Sequence, residues 1–121
     1  MRISEAMRKG AAIRPQCRFT LFDGVGSCAI GAAIEGAGIE IDDTYEILLS
    51  ELCTEYPEWN PILNALVPSP DSQVPDASQT AWVVVMYLND ERKWTREDIA
   101  DWLKGVEDKL IAEGKYIPCT T

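Results

Sequence analysis

The chain predicts a mainly α-helical domain, a compact bundle of four to six helices with room for one small β-hairpin. Three observations carry this. Apolar residues recur at helical spacing in two long stretches, serine, threonine or aspartate stands ahead of each apolar run, and glycine or proline closes most of them. With 121 residues, 46% apolar and 26% charged, the chain is of a size and composition that buries about two-thirds of its unfolded surface around one core. One domain over residues 1–121 is therefore expected.

The elements follow in order. Ser4 is placed to cap a first helix carrying Ile3, Ala6, Met7 and Gly10 on one face, and Pro15 closes it, because a residue before proline avoids helical angles. Cys17 to Phe22 contains β-formers and Asp23-Gly24 is a turn signal, so a hairpin is expected between Cys17 and Gly26. Ser27 can cap a helix running from Cys28 to Glu35, ended by Gly36 and Gly38. Its residues are nearly all small, so neighbouring backbones should approach it closely. Asp42 or Asp43 can cap a helix with Ile41, Tyr45, Leu48, Leu49 and Leu52 in phase. Pro57 can start a short helix with Trp59, Ile62, Leu63 and Leu66, and the stretch from Val67 to Gln79 has loop composition.

The run Ala81 to Leu88 is continuously apolar and fits either a buried helix or a buried strand. With Ser78 as cap it reads as helix; the alternative is an α+β fold with residues 82–88 as a central strand. Thr95 and Asp98 form a capping-box pattern for a last helix with Ile99, Trp102, Leu103, Val106 and Leu110 in phase, and Gly114 sits at its C′ position. The predicted core is Ile30, Ala33, Ile34, Leu48, Leu49, Leu52, Val84, Leu88, Ile99, Trp102, Leu103 and Val106.

Charge is segregated along the chain, whose net value is −9. The first eighteen residues are basic, the seventy-three from Phe19 to Glu91 contain no lysine or arginine, and the last thirty are balanced. Such a one-sign region keeps a protein soluble, and it also offers a surface to a basic partner or to the basic first helix of the same or a second chain. Direct nucleic-acid binding needs a larger basic patch than this chain has. No stretch is apolar and long enough to suggest a leader or a membrane span, so a cytoplasmic protein with no membrane association is expected. Cys17, Cys28, Cys53 and Cys119 lack paired spacing and read as reduced thiols rather than a zinc site or a disulfide framework. No cofactor motif is present.

The chain has no histidine, which removes the usual catalytic triads and the commonest base. The one suggestive spot for chemistry is Cys28. It follows a glycine-rich loop at a predicted helix start, where backbone N–H groups and the helix dipole favour a thiolate. The competing reading makes it a small core residue. The tryptophans divide: Trp82 and Trp102 read as core, whereas Trp59 and Trp94, with Glu51, Glu55 and Glu58, are candidates for an interaction surface.

Cys28-Ala29-Ile30-Gly31-Ala32, Leu88-Asn89-Asp90 and the segment Trp94 to Leu103 together resemble a group of small bacterial and phage-encoded proteins of uncharacterised function. The resemblance implies a C-A-[IL]-G-A helix start and an Asn-Asp turn before the final helix, and it implies no activity. The functional expectation is a non-enzymatic interaction or regulatory protein working through its acidic central surface, with a protein partner or as a homo-oligomer. The alternatives are a cysteine-dependent enzyme or redox protein using Cys28, and an acidic inhibitor of a nucleic-acid-binding protein.

Overall fold

The structure, a computed structural model, describes residues 1–40, 49–71 and 78–116. Among them lie six α-helices and one two-stranded sheet: α1 (Ile3–Ala11), α2 (Ala29–Gly36), α3 (Leu49–Glu55), a 3₁₀ turn (Pro57–Trp59), α4 (Asn60–Leu63), β1 (Leu66–Pro68), β2 (Ser78–Thr80), α5 (Ala81–Asp90) and α6 (Arg96–Ala112). The fold is mainly helical, as the sequence predicts. No helix among the described residues is long and apolar enough to cross a membrane.

The centre of the fold is an antiparallel crossing of α1 and α2. Each helix carries a small residue four positions before a glycine, Ala6 and Gly10 in one, Ala32 and Gly36 in the other. Gly10 lies against the Ala32 backbone and Gly36 against the Ala6 carbonyl, so closely that a Cβ at either glycine would overlap backbone atoms. The small residues of α2 therefore do bring a neighbouring backbone close. Ile3, Met7, Ile30 and Ile34 fill the core beside the crossing.

Helix α6 runs along α1 and holds both of its ends. Ser4 does not cap α1: the N-cap position is Arg2, whose side chain makes no capping bond. The Ser4 N–H instead donates to Glu107 Oε1 at 2.9 Å, and Glu107 is fully buried. At the other end the Arg96 guanidinium donates to the carbonyls of Ala11 and Arg14. A carboxyl group thus sits at the positive end of the α1 dipole and a guanidinium at its negative end. Exposed pairs of Arg8 with Asp101 and Arg2 with Asp108 reinforce the contact, so much of the basic first segment meets the acids of α6. Arg14 pairs with Glu35 and the N-terminal ammonium with Glu58 in the acidic region.

The run from Ala81 to Leu88 is helical, which removes the central-strand alternative. Ala81, Val84, Val85 and Leu88 are buried while Val83 and Tyr87 are exposed, a helical period hidden inside a uniformly apolar stretch. The capping residue is Thr80, whose hydroxyl accepts from Val83 N–H, and Ser78 belongs to β2. Thr95 caps α6 through the Asp98 N–H at 3.1 Å. Gly114, at φ 72°, closes α6 with the Gly114 and Lys115 N–H groups bonding the Ile111 and Leu110 carbonyls, the two bonds of a Schellman motif.

The expected hairpin is displaced. Cys17 to Phe22 forms no strand, because the backbone turns at Phe19 with φ 68° and makes only isolated bridges of Gln16 and Phe22 to Ser27. The small sheet lies instead at the two ends of the proline-rich loop, with Val67 opposite Gln79. Of the predicted core, Ile30, Ala33, Ile34, Leu52, Val84, Leu88, Ile99 and Leu103 are buried. Trp102 and Val106 only pack partly buried against it, as does Trp82. Leu48, with the start of the helix expected at Asp42 or Asp43, lies outside the described residues, as does the burial of Leu49.

The α1–α2 crossing generates a test. Gly10→Ala and Gly36→Ala should each lower stability by about 3 kcal/mol, the range for overpacking against backbone that cannot retreat. Gly105→Ala, with open space at its Cβ, should be neutral or stabilising by up to about 1 kcal/mol. Urea unfolding midpoints of the three variants check this.

Candidate functional site

Four helix ends meet at one end of the bundle: the last turn of α1, the first of α2, the last of α5 and the first of α6. Between them lies the loop of residues 12–28, and a buried polar clasp holds it. All three segments of the resemblance stated above converge on this clasp.

Its centre is Asn89, fully buried. The Asn89 carbonyl oxygen accepts from Ala29 N–H at 3.1 Å and Gln16 Nε2 at 2.8 Å. The amide nitrogen donates to the Cys17 carbonyl at 3.0 Å and to Asp90 Oδ1 at 2.8 Å. Asn89 therefore satisfies a free N–H at the start of α2 and pins the loop to it. Gln16 reaches further, donating also to the Trp94 carbonyl at 2.8 Å. Asn89-Asp90 is expected as a turn; it is instead the last turn of α5.

Arg96 is the second fastener. It is 5% exposed, and it donates to Ser27 Oγ and the Ser27 carbonyl as well as to Ala11 and Arg14. Burial lowers its pKa from the ordinary value. Carbonyls at the negative end of α1 replace the water that a buried cation loses. Ser27, expected as a cap for α2, is spent on this arginine.

Cys28 takes the capping role instead, its sulfur accepting from Gly31 N–H at 3.4 Å. The thiol is fully buried. Burial pushes its pKa up to about 11, against the smaller opposing effect of the Gly31 and Ile30 N–H groups. The helix-start stabilisation of a thiolate is present but desolvation exceeds it, so Cys28 is poorly suited to act as a nucleophile at neutral pH. The glycine of the same motif has a separate duty. A Cβ at Gly31 would meet the Leu21 carbonyl, which accepts from Cys28 N–H at 3.0 Å, so Gly31 lets the loop backbone rest on α2.

The clasp leaves the outer part of the loop apolar and exposed. Phe19 is 71% and Val25 70% exposed. Phe19 holds a left-handed backbone that phenylalanine disfavours, fixed by its N–H donating to Asp90 Oδ1 at 2.8 Å. Val25 sits on a turn closed by Asp23, whose carboxylate accepts from the Val25 and Gly26 N–H groups at 3.0 and 2.6 Å. These bonds hold the Asp23 pKa below the usual carboxylate range.

The other candidates lie elsewhere. Trp59 is fully buried, stacked on Tyr56 and donating its indole N–H to the Met1 carbonyl, so it anchors the core and presents no surface. Its apolar neighbours at Ile62 and Leu63 draw it inward. Glu58 binds the N-terminal ammonium at 2.9 Å. Glu51 and Glu55 are exposed on α3, and Trp94 is half-buried beside Gln16. The five candidates therefore do not form one patch with an aromatic anchor at its centre. Cys119 lies outside the described residues, among which no three metal-ligating side chains gather. The sequence marks Asn89 only as half of an Asn-Asp turn, and it marks neither Gln16 nor Arg96 as a site residue. Asn89 carried a signal: it falls four residues after Val85, a polar side chain on the buried face of an apolar helix.

Two outcomes are expected. Asn89→Leu should cost about 3 kcal/mol, because it strands Ala29 N–H, the Cys17 carbonyl and Gln16 together; urea unfolding measures it. Since the Cys28 pKa is raised on folding from about 9 to about 11, its contribution to stability is complete below pH 9 and declines as pH rises through 11. The midpoint of wild type should therefore fall more steeply over that window than that of Cys28→Ala.

No protein-family model, no curated protein and no solved structure matches this chain.

Proposed function

We propose that this is a non-enzymatic interaction protein that docks a protein partner through the tip of the clasped loop, with Phe19 and Val25 as its apolar contacts. The observation that carries the reading is Phe19 itself. Exposing a phenylalanine gains nothing for the monomer, and holding it at positive φ costs about 1 kcal/mol. Both departures persist because a buried network is built around them, and strained, exposed aromatic positions are characteristic of binding sites. A pre-organised loop also loses little entropy on docking.

The acidic region supports this reading as a source of attraction at a distance. A net charge of −9 would draw a basic-rimmed partner toward the molecule, with Glu51 and Glu55 part of that field. A partner that itself binds nucleic acid, or a second copy of the chain, would be met by the same loop. Cysteine chemistry finds less support, because Cys28 has neither access nor a depressed pKa.

Phe19→Gly separates binding from folding. Glycine relieves the left-handed backbone, so the variant should melt at or above the wild-type temperature, by up to about 1 kcal/mol in stability. The same variant should bind the captured partner at least about tenfold more weakly, as loss of a hot-spot aromatic does. Affinity capture from native lysate followed by titration with the purified partner reads this. Unchanged capture by Phe19→Gly combined with Val25→Ser would overturn the proposal.

A further inference from the structure

A groove of about 800 Å³ lies between α6 and the segment formed by α4 and β1. Its walls are apolar at Trp102, Val106, Leu110 and Leu66, and Leu66 is 73% exposed. Among the described residues β1 lines the groove through Leu66, Val67 and Pro68, and β2 does not.

The pairing register shows what β1 offers. Leu66 stands opposite Thr80 and Val67 opposite Gln79, and the Ala81 N–H bonds the Ala65 carbonyl at 2.9 Å. Bonded pairs alternate along an antiparallel ladder. With Ala65–Ala81 bonded, Val67–Gln79 is the next bonded pair, and Leu66–Thr80 is not one. The Leu66 N–H and carbonyl therefore point outward, away from β2, into the edge an added strand would use. Pro68 has no N–H to extend the ladder, which fixes the register of an incoming strand at Leu66. Lys109 and Lys115 line the same groove; Lys115 pairs with Glu113 at 3.6 Å, which leaves one lysine in excess on this wall of a protein of net charge −9.

We infer that the groove is a second docking site, which takes an extended segment of a partner protein carrying alternating acidic and apolar side chains, added as a strand to β1 at Leu66. Main-chain bonds to Leu66 hold the segment, its apolar side chains pack on Trp102 and Val106, and its carboxylates meet Lys109 and Lys115. The groove is independent of the clasped loop, which shares none of its lining.

The probes are a capped peptide alternating aspartate with leucine and its lysine–leucine counterpart, titrated into the full chain with backbone amide exchange followed by NMR. The acidic peptide should slow exchange at the Leu66 amide and bind at least about tenfold more tightly than the basic one. The double variant Lys109→Glu, Lys115→Glu, with its melting temperature confirmed, should lose or reverse that preference. Phe19→Gly should leave binding in the groove unchanged, which separates failure here from failure of the loop reading. Absence of binding, equal binding of the two peptides, or saturation without protection at Leu66 would overturn the inference. So would protection at Leu66 in a peptide-free dimer seen by light scattering, which would make a second copy the occupant.

Discussion

Everything in this fold is built on the contact of one helix backbone with another. Gly10 on Ala32 and Gly36 on Ala6 bring α1 and α2 closer than side chains larger than alanine allow. The approach is antiparallel, so the end of α1 and the start of α2 lie side by side, and the loop of residues 12–28 must close upon itself at that end. Four small residues thus bring its two ends together, and the bonds of Asn89 and Arg96 to the loop then hold it there.

Close packing of two short helices leaves a polar problem at their ends, and α5 and α6 solve it. Free N–H groups at the start of α2 find Asn89 and Cys28. Carbonyls at the end of α1 find Arg96, and a free N–H at its start finds Glu107. The Glu107 carboxyl is fully buried and its pKa is raised by burial, although Ser4 and Arg2 pull it down. In each case the solution is a polar side chain placed inside the bundle where an isolated helix would have used water.

The parts legible from sequence are those governed by local rules. The cap at Thr95, the stop at Gly114 and the phase of α6 follow from residues within a few positions of each other. The helical state of Ala81 to Leu88 could be weighed against strand on its neighbours alone. The clasp is different in kind: Gln16 and Asn89 are separated by 73 positions and Arg96 and Ser27 by 69. No local pattern distinguishes a buried arginine that serves carbonyls from one on a solvated face. The same holds for Trp59, whose burial depends on Met1 and Tyr56 folding over it, and for the hairpin, where the left-handed turn at Phe19 overrides the strand propensity around it.

Helix α6 faces two ways. One side carries Arg96, Ile99, Leu103 and Glu107, all buried; another carries Trp102, Val106 and Lys109, which line the groove. The two sets interleave in sequence but occupy separate stripes of the cylinder. Substitutions can accumulate on the outer stripe without touching the residues that hold α1. The wall of the proposed docking groove can therefore vary while the frame behind it stays the same.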